Sequence, residues 1–109
     1  MYGRGSGKNM TYKIKYLPLA VLDLDALASW LSRFYPGTLR RTMGDLKKKI
    51  GDSSSFPGIG SEYSSDPYYR KIACGNYLAF YHVAESSQTV EIHRILRVSW
   101  NIPEYLPNR

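Results

Sequence analysis

The chain has a single cysteine, Cys74, among its 109 residues. One thiol excludes an intrachain disulfide framework and a cysteine-rich zinc site. With only two histidines, His82 and His93, we expect neither a metal centre nor a cofactor. Apolar runs of the ~18 residues that a membrane span needs are absent, and the N-terminus lacks the apolar segment of a secretory signal. We therefore expect a cytoplasmic protein that does not bind a membrane.

Acidic residues are also scarce: 9 Asp and Glu stand against 15 Lys and Arg, which gives a formal net charge of +6. Such a surplus favours a negatively charged partner, such as a phosphate backbone, an anionic membrane surface or an acidic protein, and charge alone does not choose among them. Aromatic residues are frequent, with ten Tyr, three Phe and two Trp. Tyrosine beside lysine or arginine can stack on bases, but packing in a half-buried sheet is the simpler interpretation.

The first half of the chain predicts one strand and two helices. Residues 1–9 are glycine-rich and basic, and we interpret them as a flexible leader that is either native or precedes a natural start codon at Met10. We expect residues 10–109 to form one domain. Residues 11–16 alternate between apolar and polar side chains, which predicts a half-buried strand. Two helical stripes follow, joined through residues 35–37, and predict an antiparallel hairpin. Their apolar members are Ala20, Leu24, Leu27, Leu31 and Phe34, then Leu39, Met43, Leu46 and Ile50, with Thr38 and Gly51 as expected caps.

The second half predicts three strands after a long loop. Residues 51–67 have loop composition, and residues 68–74, 77–84 and 89–98 have strand patterns, the first two joined by a Gly75-Asn76 turn. The order predicts an α+β fold, β-α-α-β-β-β, with the helical hairpin packed on one face of a mainly antiparallel four-stranded sheet. The opposite sheet face is then available for function.

Two basic surfaces are candidates for binding. On the open sheet face, Arg70 or Lys71 (their side chains alternate) and some of Glu91, His93, Arg94 and Arg97 form a cationic cup. Such a cup could stabilise a phosphate and move a proton without a metal, or it could dock a partner. The second helix carries five cations away from its apolar stripe, which form either a binding face or a solvated face: Arg40, Arg41, Lys47, Lys48 and Lys49.

Residues 66–106 resemble the C-terminal half of the RelE/ParE superfamily of bacterial type II toxin–antitoxin toxins. Three segments carry the resemblance: residues 69–72 (Tyr-Arg-Lys-Ile), 75–83 (Gly-Asn-Tyr-Leu-Ala-Phe-Tyr-His-Val) and 90–96 (Val-Glu-Ile-His-Arg-Ile-Leu). The family shows Tyr-Arg-basic-aliphatic, a short turn, Tyr-Arg-aliphatic-aliphatic-Tyr-x-Val, and an aliphatic strand ending in Arg-aliphatic-aliphatic. The first strand and helical hairpin match the family order, so the resemblance extends over residues 11–106.

The resemblance implies two activities. RelE-like members cleave mRNA on the ribosome with lysines of the second strand, an arginine after the third-strand tyrosine, and a basic and an aromatic residue near the C-terminus. ParE-like members share the fold but poison DNA gyrase without being nucleases. Lys71 falls on a lysine position, and Tyr105 lies one position from the terminal tyrosine. Leu78 stands where the phosphate-binding arginine is expected, and Arg97 replaces only part of the C-terminal charge.

The incomplete ribonuclease set favours a ParE-like, gyrase-poisoning toxin that inhibits growth and is neutralised by an acidic antitoxin. One alternative is a RelE-like endoribonuclease acting on ribosome-bound mRNA, its catalytic residues drawn from Lys71, Arg97, Tyr105, His82 and His93. Another is a non-toxic domain that binds nucleic acid or protein. We expect the target or the antitoxin to contact eight residues: Arg70, Lys71, Leu78, Phe80, His82, Arg94, Arg97 and Trp100.

Overall fold

The computed structural model describes residues 11–106. The leader expected at residues 1–9 lies outside this range. The described chain forms five strands and three helices: β1 (Lys13–Tyr16), α1 (Pro18–Phe34), α2 (Leu39–Asp52), β2 (Ser61–Glu62), β3 (Arg70–Cys74), β4 (Tyr77–Ala84), β5 (Thr89–Arg97) and α3 (Ile102–Tyr105). None of the described helices is long and apolar enough to cross a membrane.

The strands form one mixed sheet in the order β1-β5-β4-β3-β2. β1 pairs parallel with β5, and the other three pairings are antiparallel. The prediction of a four-stranded sheet was wrong by one strand, since β2 pairs at the edge with only two residues. Gly75 has a φ of +59° at the β3–β4 turn, as the Gly75-Asn76 signal indicates.

The helical hairpin covers one sheet face, as predicted. Ala20 of α1 and Leu46 and Ile50 of α2 are buried against Ala79 and Tyr81 of β4. The stripes exist because residues three and four apart lie on one side of a helix. At the end of the α1 stripe, however, Phe34 is 57% exposed.

The expected caps of α2 differ from those observed. Thr38 stands at the N-cap position, but its hydroxyl donates to the Tyr35 carbonyl, so it does not cap α2. Gly51 lies inside the helix, which ends at Asp52. The buried Ser53 hydroxyl then donates to the Ile50 carbonyl at 2.6 Å.

The loop after α2 is fixed by one tyrosine of β4. The Tyr81 hydroxyl donates to the Pro57 carbonyl at 2.7 Å and accepts from the Gly60 amide at 2.9 Å. Burial raises the pKa of this phenol. A Cβ on Gly60 would lie 2.6 Å from the Lys71 carbonyl oxygen, so only glycine fits this contact.

Candidate functional site

β4 separates its side chains between the two faces of the sheet. Tyr77, Ala79 and Tyr81 belong to the core under the helices. Leu78 and Phe80 belong to a second apolar cluster on the opposite face. The sequence left both assignments open, and the structure places Leu78 away from the helical hairpin.

The second face is not the open cup that the sequence predicts. Phe80, Leu96 and Tyr69 are fully buried there, because the segment before β3 and the C-terminal segment pack over them. The Tyr63 ring meets Phe80 edge-on, with 5.3 Å between ring centroids. Ile102 and Leu106 add further apolar cover. Segments of the chain itself therefore cover most of the apolar surface that was expected to be open to a partner.

Arg70 and Lys71 lie on opposite sides of β3, as their alternation predicts. The Arg70 guanidinium donates from Nη1 to the Gly60 carbonyl at 2.7 Å, so it holds the loop after α2. Lys71 pairs across the strands with Phe80, and its Nζ lies 6.0 Å from the centroid of the Tyr63 ring. Lys71 is therefore the β3 cation on the second face.

The two histidines belong to an aromatic stack on the second face. The His82 ring lies parallel to that of Tyr68 at 3.8 Å, and its Nδ1 is 2.9 Å from the Tyr68 carbonyl oxygen. The His93 ring meets Tyr68 and Tyr69 edge-on. Its Nε2 is buried, has no hydrogen-bond partner within residues 11–106, and lies 3.9 Å from a Glu91 carboxylate oxygen. Burial lowers the pKa of His93, which favours the neutral ring at pH 7.

Arg94 connects three elements of the fold. Its Nε and Nη2 donate to the two carboxylate oxygens of Asp23 on α1, each at 2.7 Å. Its Nη1 donates to the Tyr105 carbonyl of α3 at 2.6 Å. The Asp23 carboxylate raises the pKa of Arg94 further. Because these partners occupy its guanidinium, Arg94 acts structurally here, and contact with a target would need their displacement.

Arg97 lies on the helix side of the sheet, outside the expected cup. Its guanidinium carbon is 4.5 Å from the centroid of the Trp30 ring on α1 and 5.8 Å from that of Tyr77. Together with Trp100 and other residues these rings line a cleft of about 280 Å³. Trp100 is 40% exposed and stacks on Tyr105, with 4.9 Å between ring centroids. The described residues offer Arg97 no carboxylate partner.

The predicted residues therefore form two groups instead of one. Lys71, Leu78, Phe80, His82 and His93 share the second face, whereas Arg97 and Trp100 line the cleft beside α1. Sequence reasoning missed three residues of these sites, Asp23, Trp30 and Tyr68. Trp30 lies at the edge of the apolar stripe of α1, where it is half-buried and presents its ring to Arg97.

The outer face of α2 is exposed throughout. The cations expected there are all exposed: Arg40, Arg41, Lys47, Lys48 and Lys49. Two have partners: Lys48 lies 3.7 Å from Asp52, and Lys49 lies 3.5 Å from the Ala73 carbonyl. Over residues 11–106, no three His, Cys, Asp or Glu side chains group in a way that could hold a metal ion.

This fold, a helical hairpin over a mixed sheet, is shared with solved structures of a ParDE system and of RelE. The family model of the ParE toxin of the type II toxin–antitoxin system parDE matches residues 14–100. The chain belongs to this ParE toxin family, which confirms the resemblance seen in the sequence. Among curated protein sequences, none matches it significantly.

Three solved structures share the fold at low identity. The ParDE system of P. aeruginosa has 20% identity and a TM-score of 0.68 over 81% of this chain and 97% of that one. A free mutant of the E. coli toxin RelE has 18% identity and a TM-score of 0.64, and the match covers 89% of this chain and 100% of that one. A chain of the RelBE2 complex of Mycobacterium tuberculosis has 20% identity and a TM-score of 0.58, and the match covers 81% of this chain and 92% of that one.

Proposed function

We propose that this protein inhibits bacterial growth by poisoning DNA gyrase and that an acidic antitoxin neutralises it. Membership of the ParE family supports this choice of target. The observation that carries the proposal is the separation of the groups that RNA cleavage needs. Proton transfer and charge stabilisation at a phosphate require side chains that converge within about 3 Å of the reacting atoms.

The two cations among these groups do not converge in the structure, although Lys71 shares the second face with His82 and His93. Lys71 lies on the second face beside Tyr63, and Arg97 lies on the other side of the sheet beside Trp30. Leu78, at the position of the phosphate-binding arginine, is flanked by Ala73 and Leu96 in the strand register, so this row has no charge. The two cations of the ribonuclease alternative, Lys71 and Arg97, therefore lie at different sites.

Electrostatic complementarity supports an acidic antitoxin. The chain has a net charge of +6, and the α2 cations are exposed to a partner. One structural neighbour is a toxin–antitoxin complex, RelBE2 of Mycobacterium tuberculosis. A negatively charged segment that wraps the chain is attracted by this surface and gains specificity from it.

Two assays on the wild-type chain test the target. With purified gyrase and plasmid DNA we expect loss of supercoiling and accumulation of cleaved plasmid. Primer extension on translated mRNA should show no new ends. Codon-position cuts that disappear in Lys71→Ala or Arg97→Ala would overturn the proposal in favour of a ribonuclease. Induction without any effect on growth would instead indicate a non-toxic binding domain.

The antitoxin is tested in the same cells. Co-expression of the small acidic protein encoded next to the toxin gene should restore growth and yield a complex that co-purifies. We expect the complex to weaken as salt rises, because charged contacts at the rim are screened. A neighbouring protein that neither restores growth nor binds would contradict this part of the proposal.

A further inference from the structure

The outer face of α2 consists of cations and glycines. Arg40, Gly44, Lys47 and Gly51 follow one line along the helix, because they are spaced by four, three and four residues. Arg41 and Lys48 lie beside this line, so the six form one continuous surface. All six are exposed. We call this surface the glycine–cation face.

The two glycines have no role in the fold that the structure reveals. A Cβ at Gly44 or Gly51 would meet no atom within 4 Å, so neither permits close packing inside the chain. Neither has a positive φ, which among the described glycines occurs only at Gly75. Yet glycine inside a helix costs about 1 kcal/mol relative to alanine. Gly44 carries this cost in the middle of the 14-residue helix, whereas Gly51 is next to its last residue, so Gly44 in particular points to a requirement outside the fold.

A bare backbone between cations suits a surface that approaches closely. The residue pairs 40/47 and 41/48 are each about 10 Å apart along the helix axis. Duplex DNA presents one phosphate charge per about 1.7 Å of its axis, and basic side chains bind it by releasing counterions. With no side chains at positions 44 and 51, the flanking arginines and lysines can reach phosphates while the helix backbone lies near the groove edge.

We propose that the glycine–cation face of α2 binds the phosphate backbone of duplex DNA. Charge complementarity supports a nucleic-acid backbone, and the choice of DNA rests on the proposed action at gyrase, an enzyme that holds duplex DNA. The acidic side chains near this face are Asp45 and Asp52. The pair between Lys48 and Asp52 is weak, since its side chains are 78% and 45% exposed.

The binding has a quantitative signature in its salt dependence. Four phosphate contacts predict a slope of log K against log salt of about −3.6. Between 50 and 200 mM salt the affinity should fall about 150-fold. Fluorescence anisotropy of a labelled short duplex DNA, titrated with the full chain, measures both quantities. Because gyrase is absent from this assay, a failure to bind DNA can be distinguished from a failure to inhibit gyrase.

Matched variants separate a specific face from net charge. Arg40→Gln with Lys47→Gln should reduce the steepness of the salt slope by nearly 2. Lys13→Gln with Lys15→Gln removes the same charge from exposed positions on β1 and should change the slope much less. Equal losses in the two double variants would show a diffuse charge effect and overturn the proposal.

The glycines supply a second test. Gly44→Gln should raise the thermal unfolding temperature, because it removes a helix-breaking residue without a clash. The same variant should bind duplex DNA less tightly. The slope of log K against log salt should become shallower by about 1, which corresponds to the loss of one phosphate contact. Unchanged DNA binding by this stabilised variant would contradict the role of the bare backbone. Preference for duplex RNA, or weaker antitoxin binding with DNA binding unchanged, would assign the face to another partner and also overturn the proposal.

Discussion

Replacing Asp23 by alanine should destabilise the fold more than any other change to an acidic residue of α1. The Asp23 carboxylate accepts two bonds from Arg94 and one from the Ile95 amide, at 2.7, 2.7 and 2.9 Å. The Arg94 and Asp23 side chains are only 14% and 12% exposed, so their removal from water is largely complete. Breaking one partner of such a pair costs about 3–5 kcal/mol, because the other charge stays buried and unpaired.

The expected loss is at the low end, about 3 kcal/mol, since Arg94 keeps its bond to the Tyr105 carbonyl. Urea unfolding followed by tryptophan fluorescence at pH 7 should therefore show a midpoint lower by about 2 M. The matched control is Asp25→Ala, an exposed acid two residues later on the same helix, which should shift the free energy of unfolding by less than about 0.5 kcal/mol. Equal midpoints for the two variants would refute the reasoning.

Two further predictions concern buried polar groups. Burial lowers the pKa of His93, so the unfolded chain binds its proton more readily than the folded chain. Stability should be full above the ordinary histidine pKa of about 6.5 and decrease as the pH falls below it, by at most about 1.4 kcal/mol per pH unit. Urea titrations at pH 7.5 and 5.5 measure this, and a His93→Phe variant that keeps the same dependence would exclude His93 as its cause. Tyr81→Phe should cost about 1–3 kcal/mol in thermal unfolding, because the Gly60 amide and Pro57 carbonyl lose their partner. Tyr12→Phe removes an exposed bond to Glu85 and should cost much less; equal costs would contradict the assignment.

The architecture was predictable because its signals are long and periodic. The α1 and α2 stripes and the β4 alternation each repeat over several turns or pleats, and they produce the expected hairpin and the expected strand. β2 was not predictable, because Ser61 and Glu62 are polar and exposed and carry no alternation. Its position depends on a distant tyrosine, Tyr81, which binds the preceding loop.

The site was harder to predict because β5 has a bulge. Phe80 pairs with Arg94 and Tyr81 with Ile92, so His93 is an extra residue in this strand. Strict alternation from Ile92 would place Arg97 with His93 on the second face. One inserted residue reverses the faces of everything after it, so Ile95 and Arg97 turn to the helix side instead. In the sequence, the bulge is indicated only by two adjacent polar residues, His93 and Arg94, between two isoleucines.

The parallel pairing of β1 with β5 joins segments that are 76 residues apart in sequence. Lys13 is matched with Thr89, so β1 has no strand partner in the sheet until β5 has been synthesised. Contacts so distant in sequence slow folding, because a large loop must be ordered before they form. A ribosome that stops before β5 therefore releases a product whose first strand has no neighbour, and shortened translation products should be inert and readily degraded.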